Sequence, residues 1–378
     1  MAKGQGMQHG GEVDAETPAP PYPPRRSPDV DRARRHSREW AVEVGILGNA
    51  ASQWQVWDAT EFSGTDLALF AALTHPDARG TELDLFADSY VWSWYLDDLI
   101  VERFKRSRDS AGARLFLDRL AGVAADPDRA DAGNPAEFGL ADLVRRTCAG
   151  RDQAWRDRLT GQLPNVFDDA LWEIDNLAFG RIPDPVDYIT MRRRAGGAGW
   201  AAQLVERSLH LELPAAVRGD PVLVRLHEAF ADVVDLHNDL VSYLRETEYE
   251  QDVSNNVVVT AHFLTTHVGN AATLTHKLML ERLHLFERLV AEATADSPGP
   301  CDTRRYLQGL KDWIAGDFAW HQATTRYRPQ TWQHRPGRRA ALPPLEGLGM
   351  AAAELPRRLG RVARCVRGGG DAGLPSMP

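Results

Sequence analysis

The chain has 378 residues, a net charge of −9 and a pI near 5.8, an acidic balance that gives no reason to expect a nucleic-acid partner. Its three cysteines, Cys148, Cys301 and Cys365, show neither metal-ligand spacing nor a disulfide framework, which points to a reducing compartment and a cytoplasmic location. The start carries no apolar core for a secretory signal, and no uncharged apolar run is long enough to span a bilayer.

Residues 1–28 are rich in Gly, Pro, Glu and Arg and end in a proline run, which predicts a disordered arm. From Asp29 onward helical patterning dominates. Helices are expected over 30–48, 65–75, 80–106, 110–124, 137–148, 152–178, 185–210, 219–248, 252–266, 271–296 and 302–325, separated by Gly, Pro or Asp punctuation. No stretch alternates as a strand would. Residues 328–378 shift to Pro, Arg and Gly and read as a tail, with a short basic helix over 357–367 taken as solvated. The pattern therefore predicts one all-α domain over 29–327, flanked by two loose ends.

Near the end of the helix over 80–106 stands Trp92-Ser93-Trp94-Tyr95-Leu96-Asp97-Asp98-Leu99-Ile100-Val101-Glu102. Asp98 and Glu102 share a face at i, i+4, and Asp97 lies one step round. Carboxylates packed into one helical turn repel one another unless cations bind them. Tyr90 and Trp94 precede Asp97 on its own face, so an acidic rim is expected above an aromatic wall. Asp168-Asp169-Ala170-Leu171-Trp172-Glu173 repeats the acidic spacing without a dense aromatic run, and is read as a solvated face.

Tyr188-Ile189-Thr190-Met191-Arg192-Arg193-Arg194-Ala195-Gly196-Gly197 is a basic turn. Gly196 and Gly197 should break the helix there, since glycine costs about 1 kcal/mol in a helix interior. Further on, Asn238, Ser242 and Glu246 sit at i, i+4 and i+8 after an apolar run. Four helical residues turn roughly 400° and rise about 6 Å, so the three oxygens stack along one face. An amide, a hydroxyl and a carboxylate suit a hard cation such as Mg²⁺. Trp313, Trp320 and Tyr327 recur every seven residues and share a stripe. His237, His284 and His321 read as core or surface residues. Glu281 and His284 form one E-x-x-H, but a di-iron bundle needs two. No glycine-rich phosphate loop is present, so nucleotide binding has no support.

The run Asn238-Asp239-Leu240-Val241-Ser242-Tyr243-Leu244-Arg245-Glu246 resembles the second metal-binding motif, N-D-x-x-S-x-x-R/K-E, of class I terpene cyclases. The resemblance extends from about Pro28 to Tyr327. It is closest to the N-terminal, germacradienol-forming half of bacterial germacradienol/geosmin synthases, through Glu82-Leu83-Asp84-Leu85, Phe104-Lys105-Arg106-Ser107, Gly139-Leu140-Ala141-Asp142-Leu143 and Ser254-Asn255-Asn256. Two departures stand out: Leu99-Ile100-Val101 replaces a His-Phe-Leu filling, and the second synthase half is absent, so geosmin itself is not the expected product.

This resemblance implies a single class I terpenoid synthase helical bundle around a central apolar cavity. It implies that Asp97, with Asp98 and Glu102 in support, and Asn238, Ser242 and Glu246 hold Mg²⁺, three ions per site. Arg192, rather than Arg193, takes the diphosphate-sensing place, with Gly196 in the effector place of the helix break. Arg245, Arg326 and Tyr327 become diphosphate donors, and Tyr90, Trp94, Trp313 and Trp320 line the cavity. The implied reaction ionises farnesyl diphosphate and cyclises the cation to a sesquiterpene, an alcohol by water capture, with release of diphosphate. Alternatives are geranyl or geranylgeranyl diphosphate as substrate. A chain-elongating prenyltransferase would carry a second aspartate-rich motif in place of Asn238-Asp239. A non-catalytic helical scaffold would not need metal ligands on two walls. A homodimer is common in the family.

Overall fold

A computed structural model of the chain describes residues 21–49, 52–295 and 301–332. Sixteen α-helices and no strand occur among the described residues. In chain order they are α1 (Val30–Glu43), α2 (Ala59–Thr65), α3 (Leu67–Thr74), α4 (Gly80–Ile100), α5 (Ser110–Ala125), α6 (Pro135–Cys148), α7 (Gln153–Thr160) and α8 (Leu163–Phe179). Then follow α9 (Pro185–Ala195), α10 (Ala198–Ser208), α11 (Ala215–Arg218), α12 (Pro221–Leu244), α13 (Asn256–Phe263), α14 (Val268–Ala295), α15 (Cys301–Ala323) and α16 (Pro329–Trp332). Two π-helical segments, Val101–Lys105 and Arg245–Glu250, continue α4 and α12.

Local chemistry sets many of the boundaries. Asp58 and Glu61 form a reciprocal capping box at the start of α2, a helix missed in the sequence. Asp184 and Asp220 cap α9 and α12, each followed by proline at the first helical position. The expected helix over 152–178 splits at Gly161-Gln162 into α7 and α8. The expected break near Gly196 occurs, with Gly197 at φ +81.

α4 is buried nearly all round, and its acidic residues are paired accordingly. Arg32 reaches Asp84 at 2.7 Å, and Arg146 reaches Asp88 at 2.8 Å. α3 is clamped between α4 and α15. The approach to α15 requires Gly316, where a Cβ would lie 2.5 Å from the Leu73 backbone. On the other side α12 packs along α14. A cavity opens between α4, α8, the α9–α10 break, α12 and α15.

The ends need correction. Residues 21–28, expected within the disordered arm, lie along the body: Arg25 pairs with Asp312 at 2.8 Å, and Ser27 is buried and donates to the Ala78 carbonyl. Trp332 in α16, beyond the expected domain end, is also buried. The rest of the arm and the tail, with its expected basic helix over 357–367, lie outside the described residues. No helix among the described residues is long and apolar enough to cross a membrane.

Candidate active site

The cavity measures about 270 Å³ and has two chemically distinct ends. Its enclosed end is aromatic, with Tyr90, Trp94 and Trp313 on the wall. These rings lock one another: the Trp313 indole donates to the Tyr90 hydroxyl at 3.0 Å, and Phe70 packs edge-on against all three. Trp200, from α10, adds a further ring that nothing in the sequence singled out.

The open end is ionic. Asp97, on α4, has a side chain 57% exposed and lines the cavity. Asn238, Ser242 and Glu246 line it from α12 and its π-helical continuation. The expected i, i+4, i+8 stack thus survives a change of helix type at its last member. Each motif runs directly into a π-helical segment, a backbone irregularity often found at functional sites.

Arg326 and Tyr327 bridge the two walls. They lie in a turn just past α15 rather than on the helix itself. Arg326 reaches Asp97 at 3.4 Å, while the Asn238 amide donates to the Tyr327 hydroxyl at 3.3 Å. Arg245 also lines the cavity and pairs with Asp98 at 2.6 Å and Glu250 at 2.7 Å.

Asp98 and Glu102 are not cavity residues, contrary to their expected place among the metal ligands. Asp98 accepts from Trp57, Arg245 and Arg326, which occupies both its oxygens. Burial would raise its pKa, but the two guanidinium groups hold it well below the usual carboxylate range. Glu102 faces Arg106 and the Tyr249 hydroxyl. Trp320 likewise leaves the cavity wall: it is fully buried, its indole donates to the Thr65 carbonyl at 2.9 Å, and it packs behind Trp94 and Tyr327.

The three adjacent arginines separate cleanly. Arg192 lines the cavity and lies 3.3 Å from Asp239, which is itself held by Tyr188 and the Asn256 amide. Arg193 turns away to Asp232 at 2.6 Å. Gly196 abuts Asp235, whose Oδ1 lies 2.2 Å from where a Cβ would stand.

Asp169 and Glu173 correct the solvated-face expectation. Asp168 is exposed, but Asp169 is buried and both Asp169 and Glu173 line the cavity. Lys105, from the π-helical end of α4, draws Glu173 inward at 2.6 Å and binds Asp252 at 2.6 Å. The repeated acidic spacing was the available signal; which face of α8 packs inward is set only by tertiary contacts.

The donor set fits a hard divalent cation. Burial, with Asp239 and Glu250 nearby, pushes the Glu246 carboxyl up to about 8. A cation beside it would relieve that cost. Burial also pushes Asp169 up to about 6 and raises Asp235. Carboxylates outnumber ammonium and guanidinium groups around the cavity.

Residues 88–284 match the family model described as terpene synthase family 2, C-terminal metal binding. A pentalenene synthase of Streptomyces avermitilis is 30% identical over 320 residues, spanning 81% of this chain and 91% of the relative. An isoafricanol synthase of Streptomyces violaceusniger is 28% identical over 355 residues, spanning 84% of this chain and 90% of the relative. Among solved structures, germacradien-4-ol synthase from Streptomyces citricolor superposes with a TM-score of 0.71 at 24% identity, over 82% of this chain and 99% of that one.

Proposed function

The chain belongs to the class I terpene synthase family as a sesquiterpene synthase, a lyase acting on an isoprenyl diphosphate with a divalent metal, and from that premise we propose that it ionises farnesyl diphosphate and cyclises the resulting cation. The observation that carries this reading is the bridge made by Arg326 and Tyr327. It links the Asp97 wall to the Asn238 wall over one cavity whose far end is aromatic. A cavity of about 270 Å³ lies just below the roughly 300–1,000 Å³ typical of small-molecule sites, which favours a C15 chain over a bulkier C20 one.

Asp97 on one side and Asn238, Ser242 and Glu246 on the other would hold Mg²⁺, three ions as the resemblance implies. Bound there, the metal supplies Lewis-acid neutralisation of the departing diphosphate. Arg192, Arg245 and Arg326 donate charged hydrogen bonds to its oxygens, and Tyr327 adds a hydroxyl. Asp98 and Glu102 act from behind: Asp98 orients Arg245 and Arg326, and Glu102 holds Tyr249. The faces of Tyr90, Trp94 and Trp313 stabilise positive charge as the chain folds. Gly196, at the break between α9 and α10, lines the cavity and takes the effector place that the resemblance implies.

Water capture to an alcohol is the proposed end of the sequence. Asp169 and Asp235 support it, since each lines the cavity with one buried carboxylate oxygen lacking a partner. These unpartnered oxygens give water a place to bind on the cavity wall. Three cysteines without disulfide or metal-ligand spacing support a cytoplasmic setting, and residues 29–327, together with the packed segments 21–28 and 328–332, are proposed as the catalytic domain.

The test is gas chromatography–mass spectrometry after incubation with Mg²⁺ and geranyl, farnesyl or geranylgeranyl diphosphate separately. A cyclic product from farnesyl diphosphate, with the mass of an alcohol, is expected. Cyclic product from geranylgeranyl diphosphate alone would refute the C15 assignment.

A further inference from the structure

Among the cavity carboxylates that belong to neither metal cluster, Asp317 comes from α15. Trp313, Asp317 and His321 project from α15 at i, i+4 and i+8, and all three line the cavity. Asp317 is 3% exposed. Its Oδ2 lies 2.8 Å from His237 Nδ1 and its Oδ1 lies 3.3 Å from His321 Nδ1. The same His321 nitrogen sits 2.9 Å from the Asp317 carbonyl one turn back.

Neither imidazole is free to swing. His237 stacks flat on Phe318, with centroids 3.7 Å apart and planes within 5°. His321 stacks on Tyr327 at 5.3 Å and meets Trp320 edge-on at 4.8 Å. A carboxylate between two fixed N–H donors is favoured in its ionised form. Burial opposes this, yet the two histidines outweigh it and hold the Asp317 carboxyl well below the usual range.

Asp97, Asp98, Glu173, Asp239 and Asp252 each pair with a lysine or arginine. Among the described residues, Asp317 pairs with imidazoles alone. Asp169 and Asp235, which also line the cavity without a lysine or arginine partner, each keep a buried oxygen with no hydrogen-bond partner, whereas both oxygens of Asp317 are held. Its negative charge therefore has no permanent cationic partner, and it stands within a low-dielectric wall where attraction reaches far.

We infer that Asp317, fixed by His237 and His321 beside Trp313 on α15, is a specificity-determining residue: it is a fixed anionic point on the cavity wall that selects where positive charge rests in the cyclising cation. The inference builds on the proposed cyclisation of farnesyl diphosphate. Aromatic faces stabilise positive charge over a broad surface. A single carboxylate adds a direction. The carbon nearest α15 is favoured as the cationic centre, and routes that place charge elsewhere are disfavoured.

The experiment compares the full-length wild type with Asp317→Asn, which keeps the shape, and Asp317→Ser, a smaller uncharged side chain that retains a hydrogen-bonding oxygen. Circular dichroism and thermal melting establish which variants fold. Volatile products and released diphosphate are measured in parallel with farnesyl diphosphate and Mg²⁺. A several-fold shift in product ratio toward less-cyclised compounds is expected, with diphosphate release changing much less. A purely structural role would lower both outputs together and leave the ratio unmoved. An unchanged ratio in a folded variant would overturn the inference. So would a stoichiometric transition metal in the wild type that the variants lack, since the three side chains present ligand atoms within 4.8 Å of one another. Absence of any cyclic product from the wild type would instead refute the proposed function itself.

Discussion

The terminal nitrogens of Arg326 sit on the two carboxylate oxygens of Asp98, at 2.7 and 2.9 Å, with both side chains buried. Arg245 adds a third charged contact to the same carboxylate at 2.6 Å. The neighbouring residue, Asp97, faces the cavity and is largely solvated. Adjacent aspartates thus differ in place: Asp98 is locked into the wall, and Asp97 is open to the cavity as the proposed metal ligand.

That division makes a paired prediction. Asp98→Ala removes the carboxylate that two buried guanidinium groups share, leaving Arg245 only Glu250 and Arg326 only the longer contact to Asp97, and breaking a buried pair in this way costs about 3–5 kcal/mol. The denaturant midpoint should fall sharply, and turnover with it. Asp97→Asn should leave the midpoint within error while cutting turnover strongly. Equal stability losses in both variants would refute the distinction.

The fold class and most helices were legible because long amphipathic runs and aspartate or proline caps act locally. The shared face of Asn238, Ser242 and Glu246 was legible for the same reason: i, i+4, i+8 on a helix is one face, and all three line the cavity. What escaped depended on neighbours distant in the chain. Asp98 looked like a ligand until Arg245 and Arg326 arrived from the far walls. Asp169 and Glu173 looked solvated until Lys105 drew Glu173 inward. Trp320 shared a sevenfold stripe with Trp313, yet the approach of α3 turned it into core. The π-helical segments left no periodic trace, since each adjusts the backbone within an otherwise helical pattern.

The α9–α10 break is sensitive to a single methyl group. In Gly196→Ala the new Cβ would lie 2.2 Å from Asp235 Oδ1, so the carboxylate or the turn must shift. Arg192 sits four residues back on the same element, and its distance to Asp239 should change with the turn. The expected outcome is a fall in kcat larger than the change in KM, with near-native circular dichroism. Gly197→Ala is different in kind. At φ +81 an L-residue is strained, so the cost should appear as stability, on the order of 1–2 kcal/mol. Thermal melting separates the two.

Acid should destabilise the fold through two histidines, the buried His75 and the half-buried His227. Burial pushes His75 down to about 3 and His227 down to about 4. Each contacts a tyrosine hydroxyl, Tyr90 and Tyr306, at 2.8 and 2.7 Å. In the unfolded chain both titrate near 6.5. Between about pH 6.5 and pH 4 the unfolded state therefore binds protons that the folded state refuses, and stability falls as pH falls. Each histidine contributes a slope of up to about 1.4 kcal/mol per pH unit. The raised carboxyls of Asp169 and Glu246 act with opposite sign, so the difference between proteins is the informative quantity. His227→Gln, which can keep a bond to Tyr306, should flatten the profile by about one proton. Parallel profiles for wild type and variant would rule the contribution out.

Lys105 is a buried ammonium shared by Glu173 of α8 and Asp252 beyond the second π-helical segment, each at 2.6 Å. It joins three chain segments around the cavity mouth, so its removal should be costly for a specific reason. Lys105→Met leaves two carboxylates facing each other without a counter-charge, and a loss of about 3–5 kcal/mol is expected. Burial would raise the Asp252 carboxyl, but Lys105 overrides that and holds it below its ordinary value, so the loss should be marked at neutral pH. The triple variant Lys105→Met, Glu173→Gln, Asp252→Asn removes all three charges together. The amide side chain that Asp252→Asn introduces keeps an oxygen for the Val253 and Ser254 amides that Asp252 Oδ1 now serves. Replacing a buried charged cluster by neutral groups of similar volume is often close to neutral in energy. The triple variant should therefore recover most of the stability that the single variant loses, read as the midpoint of urea unfolding. If the single and triple variants lose equally, Lys105 acts through packing of its aliphatic stem rather than through its charge.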